Sequence, residues 1–155
     1  MNRKEYEERI AKIEKELKEL KEAEIANDEF PQYDEIYWFT DTDGDVVSTY
    51  WNDDTDDNYR KDFLRIFKTK EECYRYSEIK ETFMEESKEF EPDWSDHKQM
   101  KYFPYYNNCT KHLEVDCVNT HQGSTLYFKS SEVLEELIAR FGEEDIKKYY
   151  FGIEE

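Results

Sequence analysis

The stretch Phe67-Lys68-Thr69-Lys70-Glu71-Glu72 returns later in the chain as Phe128-Lys129-Ser130-Ser131-Glu132. Each reads as the end of an aromatic strand, a lysine, a hydroxyl able to cap a helix, and acids suited to the positive end of a helix dipole. Thr69 with Glu72 forms a capping box, which predicts a helix from Thr69 to about Glu89, broken at Glu91-Pro92-Asp93. After the second junction the pattern predicts a helix over Ser131–Phe141 ended by Gly142, and a last short one over Glu143–Tyr150.

Upstream of each junction the chain is rich in aromatic and β-branched residues. Ile36-Tyr37-Trp38-Phe39 reads as a strand, Asp43-Gly44 as a type I′ hairpin turn, and Val46–Trp51 as its partner. Phe63–Phe67 reads as a third strand. The second half offers Tyr102-Phe103, Leu113–Val118 and Leu126-Tyr127-Phe128 in the same order. The expected fold is therefore α+β: an N-terminal coiled-coil helix (1–26) and two strand–strand–strand–helix units in tandem (33–90 and 97–155).

The N-terminal helix rests on Tyr6, Ile10, Ile13, Leu17 and Leu20, which recur every three or four residues as an a/d seam. Glu5–Arg9, Glu8–Lys12 and Glu14–Lys18 set an acid one turn before a base, the favourable order on a helix. Three heptads need a partner to bury their seam; a homodimer and the chain's own body are both candidates.

The composition bounds the function. Of 155 residues, 40% are charged and 37% hydrophobic, a balance that leans toward disorder, but 17% are aromatic and supply a core. A formal net charge of -18 disfavours direct contact with nucleic acid or an anionic membrane and favours a basic protein partner. Three cysteines make no disulfide framework, which fits a reducing cytoplasm. The opening MNRKEYEERI is too charged for a signal peptide, and no apolar run has the length of a membrane span.

Catalytic and cofactor motifs are missing. There is no G-x-S-x-G, no phosphate-binding loop and no dinucleotide fingerprint among only four glycines, so neither an enzyme nor a cofactor is expected. Cys73 falls at an apolar position of a predicted helix, as a packed core residue would. Asp41, Asp43 and Asp45 open like a calcium loop, but Val46 and Asn52 stand where glycine and a bidentate glutamate are required. Cys109, His112, Cys117 and His121 have compact zinc-like spacing; against zinc, strand alternation would turn His112 and Cys117 to opposite faces.

Charge is unevenly distributed. Eleven acids and no base lie between Ala26 and Tyr59, whereas Arg60–Lys80 holds seven bases against four acids. Two readings compete: a solvated acidic face, or carboxylates that imitate phosphates and enter a lysine- and arginine-lined groove. The second makes Asp41, Asp43, Asp45, Asp53, Asp54, Asp56 and Asp57 the candidate partner-binding surface, with Trp51 and Tyr59 as anchors. A further reading is a pocket for a nucleotide second messenger built from Arg60, Arg65, Lys68 and aromatics, and another is a phage assembly protein using the Tyr6–Leu20 seam.

The segments NYRKDFLRIFKTKEECYRY, the tryptophan of EPDW, the KYF strand, LYFKSSEVLEELIARFGEE and DIKKYYFG resemble a family of small proteins encoded by phages and prophages of Gram-positive bacteria. The resemblance covers Tyr37–Gly152 and departs from the family at Leu64-Arg65-Ile66, where a Gly-Asn pair is usual. It implies an accessory protein that inhibits host nucleic-acid-handling machinery in the bacterial cytoplasm, of the anti-CRISPR type, with a defence nuclease as partner. That implication concerns a class of gene, not a site.

Overall fold

The computed structural model describes residues 3–27 and 29–154. It is an α+β fold with five helices and two antiparallel two-stranded sheets among those residues: α1 (Arg3–Asn27), β1 (Ile36–Thr40), β2 (Val46–Tyr50), α2 (Thr55–Phe63), α3 (Lys70–Lys88), β3 (Lys101–Asn107), β4 (His112–Val118), α4 (Ser131–Phe141) and α5 (Glu143–Asp145). A π-helical turn, Ile146–Tyr150, follows. No described helix is long and apolar enough to cross a membrane.

Both junctions fold as helix starts. Thr69 Oγ1 accepts from the Glu72 amide at 3.2 Å and holds the first turn of α3, while α4 stops at Gly142, whose φ of 87° suits a residue without a Cβ. The expected third strands shrink to single bridges. Phe67 pairs with Trp38 of β1, and Phe128 pairs with Tyr102 of β3. Both phenylalanines are buried in one core with Ile79, Phe83, Leu134 and Phe141, so packing of that side chain, not a long ladder, fixes each junction.

Two further expectations are corrected. Residues 55–63 are helical: Asp54 caps the Asp57 amide at 2.9 Å, Asp56 and Asp57 occupy the first turn, and Arg60 and Lys61 the last. Those charges complement the helix dipole at both ends, and so the acidic run starts a helix instead of leading into a strand. The β1–β2 turn is not type I′, since only Gly44 within it has positive φ (91°). The Gly44 amide donates to the Asp41 carbonyl at 3.2 Å and the Asp41 amide to the Asp45 carbonyl at 2.9 Å, a three-residue loop closed by glycine.

The C-terminal segment ties the halves together. Arg75 of α3 bonds Asp145 Oδ2 at 2.6 Å and the Phe141 carbonyl at 2.9 Å, and Lys148 reaches Glu72 at 2.7 Å. By contrast, Ile10, Ile13, Leu17 and Leu20 of α1 are 39 to 68% exposed. Tyr6, the first residue of that seam, lies outside the residues whose side chains are described.

Candidate functional site

The hairpin splits the candidate acids into two groups. Asp41, Asp43 and Asp45 sit at its turn, while Asp53, Asp54, Asp56 and Asp57 follow β2 at the other end. A five-residue strand between them spans about 17 Å. The acids therefore form no single row.

At the turn end, Asp41 Oδ1 accepts from the Asp43 and Asp45 amides at 2.9 Å each, so its carboxylate organises the loop. Asp43 and Asp45 are exposed. The fold adds an acid from far along the chain: a Cβ on Gly44 would lie 3.8 Å from Glu81 Oε1 of α3.

At the other end, two of the expected surface residues prove to be interior. Trp51 is 5% exposed and packs edge-on against Tyr37 with ring centres 5.9 Å apart. Asp57 is 1% exposed and accepts from the Tyr37 hydroxyl and the Asn52 amide, both at 2.6 Å. Arg60 completes the group, donating to the Tyr37 oxygen at 2.9 Å and approaching Asp57 at 3.6 Å. Burial alone would raise the Asp57 carboxyl; bonds from the Tyr37 hydroxyl and the Asn52 and Asp54 amides, with Arg60 nearby, hold it below its ordinary range instead. Burial and then the Asp57 carboxylate push the Tyr37 phenol up to about 12. Both residues are structural.

What remains exposed at this end is a compact polar and aromatic face. Asp53 accepts from the Asn58 side chain at 3.0 Å, Asp54 is occupied as the cap, and Asp56 and Asp62 face solvent. Beside them Tyr59 and Phe63, one helical turn apart, stack with ring centres at 5.1 Å while remaining 56% and 74% exposed. Phe63 and the exposed Leu64 were missed as candidates, because Phe63–Phe67 reads as a buried strand when the helix signal at Asp54 is overlooked. The neighbouring bases turn onto rings: Arg60 lies 4.6 Å from the Phe39 centroid and Lys61 5.5 Å from that of Trp51.

The other constellations do not assemble. His112 and Cys117 both lie on β4, His112 Nδ1 sits 3.1 Å from Glu143, and no group of three or more metal-ligating side chains converges among the described residues. Cys73 is fully buried, and burial pushes its thiol up, away from the reactive thiolate. Arg60, Arg65 and Lys68 do not all line one pocket: Arg60 serves Tyr37 and Asp57, while Arg65 and Lys68 share a small recess of about 150 Å³ that Glu72 also lines. Arg65 also borders a much larger cleft. No family model, curated protein or solved structure matches the chain.

Proposed function

We propose that the chain is a non-catalytic binding protein that docks on a basic protein surface through the α2 face. The observation carrying this reading is the stacked, solvent-exposed Tyr59–Phe63 pair beside Asp53, Asp56 and Asp62. An aromatic pair left in water beside carboxylates is costly unless something covers it. Aromatic anchors ringed by charge are how protein interfaces concentrate their energy, while the carboxylates steer a lysine- and arginine-rich partner into place. The resemblance to phage-encoded proteins supports, as the partner, a bacterial nucleic-acid-handling defence protein such as a CRISPR effector, met in the host cytoplasm. In the same reading the two hairpin–bridge–helix arrangements are tandem units.

The test is capture from a bacterial lysate at physiological salt, read by mass spectrometry. The parent should retain a basic, nucleic-acid-binding protein and release it at about 0.5 M salt, where exposed charge pairs are screened. Asp53→Lys with Asp56→Lys, or Tyr59→Ala with Phe63→Ala, should lose it by at least about thirtyfold, the equivalent of about 2 kcal/mol. Asp54 and Asp57 are left unaltered, because changing a cap or a buried carboxylate would test folding. Undiminished capture by both double variants would refute the interface, and loss on Asp43→Lys with Asp45→Lys alone would move it to the turn.

We also propose that α1 pairs with α1 of a second copy, as the exposed Ile10–Leu20 seam favours. Sedimentation should show a dimer that Leu17→Asp converts to monomer; a monomeric parent at all concentrations would end this reading.

A further inference from the structure

A large cleft lies between α3, the middle of β3, residues 124–126 and the π-helical C-terminus, with Arg65 at its border. Its volume is about 750 Å³, within the range of small-molecule sites. Forty of the 155 residues are acidic, yet none lines this cleft, whereas Arg65 and Lys80 both do. Such segregation in a chain of net charge -18 makes the cleft a local cationic site on an acidic protein. Glu72 and Glu154 line a smaller neighbouring recess with Arg65 but not this cleft, and neither is in ion-pair contact with that guanidinium.

The two cations are held in place by the surrounding chain. Arg65 Nη1 donates to the Lys148 and Tyr149 carbonyls at 2.9 and 3.0 Å, groups at the end of the last helical turn that lack partners within it. Its guanidinium carbon lies 5.3 Å from the Tyr76 ring centre, and Lys80 Nζ lies 5.6 Å from the same ring. Among the described residues neither cation is paired with a carboxylate. Arg65 keeps its Nε and Nη2 donors uncommitted by the same measure, a fork suited to an oxyanion. Around them Tyr76, Met84, Tyr150 and Phe151 supply aromatic and polarisable surface, and Ser124 and Thr125 add hydroxyls. Burial pushes the Tyr150 phenol up to about 12, so it stays neutral and adds no negative charge.

We propose that this cleft binds a nucleoside monophosphate, its base against the aromatic walls and its phosphate at Arg65 and Lys80. A phosphate monoester carries between one and two negative charges near neutral pH and matches two cations better than a single carboxylate does. Base stacking on tyrosine and phenylalanine tolerates any base, so the site selects the phosphate more strongly than the base. Phe63 at the end of α2 lines an adjoining recess with Arg65, Tyr76 and Lys80, so the two tests are kept apart through Asp53 and Asp56, which line neither that recess nor the cleft.

Calorimetric titration of the full chain with AMP, GMP, CMP and UMP, their nucleosides and inorganic phosphate decides the matter. At least one monophosphate should bind saturably with Kd below about 1 mM, and its nucleoside and free phosphate should each bind at least about tenfold more weakly. Lys80 and Met84 are exposed, so Lys80→Glu and Met84→Glu should fold as the parent does, verified by circular dichroism. Each should weaken that monophosphate by at least about tenfold, whereas Asp53→Lys with Asp56→Lys should not. Absence of binding by all four monophosphates, nucleosides that bind equally well, or full affinity in both glutamate variants would overturn the proposal.

Discussion

Asp57→Ala should cost about 3–5 kcal/mol of folding stability in urea denaturation at neutral pH, the scale of breaking a buried charged network from one side. The substitution strands the buried Tyr37 hydroxyl against Trp51 and removes the acceptor of the part-buried Asn52 amide, both donors being 2.6 Å from the carboxylate. Arg60 loses its acid but is partly exposed and can be rehydrated, which limits its share of the loss. Asp57→Asn keeps an acceptor for one donor while turning an amide toward the other, and should cost about half as much, about 2 kcal/mol.

The pH dependence distinguishes this carboxylate from a packing effect. Its folded pKa is depressed below the unfolded value, so its contribution is fully present above that unfolded value, about 4. It is lost as pH falls through the folded pKa. The gap between parent and Asp57→Ala should therefore be constant from pH 7 to 5 and narrow below about pH 4. A gap that stays the same down to pH 2 would show that Asp57 contributes volume and not charge.

Asp57 also marks the limit of what the sequence made legible. Both helix starts, the β1–β2 hairpin and the α4 stop were readable, because Thr69, Gly44 and Gly142 act through local backbone chemistry that a short window contains, although Ser130 begins α4 without the expected side-chain cap bond. The α2 helix was written in the same local terms, with Asp54 as cap, acids in the first turn and bases in the last. It was overlooked because seven aspartates in one region read as a surface property before they read as individual hydrogen-bond acceptors. The burial of Asp57 was not legible at all. It depends on Tyr37, twenty residues earlier, and no spacing rule relates a helix residue to the second position of a strand. The same holds for the cleft: Arg65, Lys80 and Tyr150 belong to three parts of the chain, and only tertiary packing brings them to one border.

Lys101→Met should destabilise the fold by about 3 kcal/mol, although it replaces a buried cation by an apolar side chain of similar length. Such replacements can be neutral where both members of an ion pair are removed together. Here the partners are backbone carbonyls, which no substitution removes. Lys101 is 0% exposed, and its ammonium donates to the carbonyls of Gln99 at 2.8 Å, Asp96 at 3.2 Å and Asn119 at 3.4 Å. The Trp94 ring centre lies 5.0 Å from Nζ and covers it. Methionine leaves three acceptors facing a thioether, and each unsatisfied one costs about 1–3 kcal/mol, offset in part by the relief of an ammonium that had been desolvated. The loss should be local first. Trp94 stacks edge-on with Tyr127 at 5.2 Å, so residues 93–100 are held down at Lys101 and at Tyr127. In Lys101→Met, amide exchange in 93–100 should rise well before exchange in α3 or α4, and Trp94 fluorescence should shift toward that of a solvated indole. Lys101→Arg should not rescue it, because a planar fork cannot direct three donors at carbonyls arranged around a point charge. Unchanged stability in the methionine variant would mean that water reaches the three carbonyls, and that the ammonium fills that space without holding the segment in place.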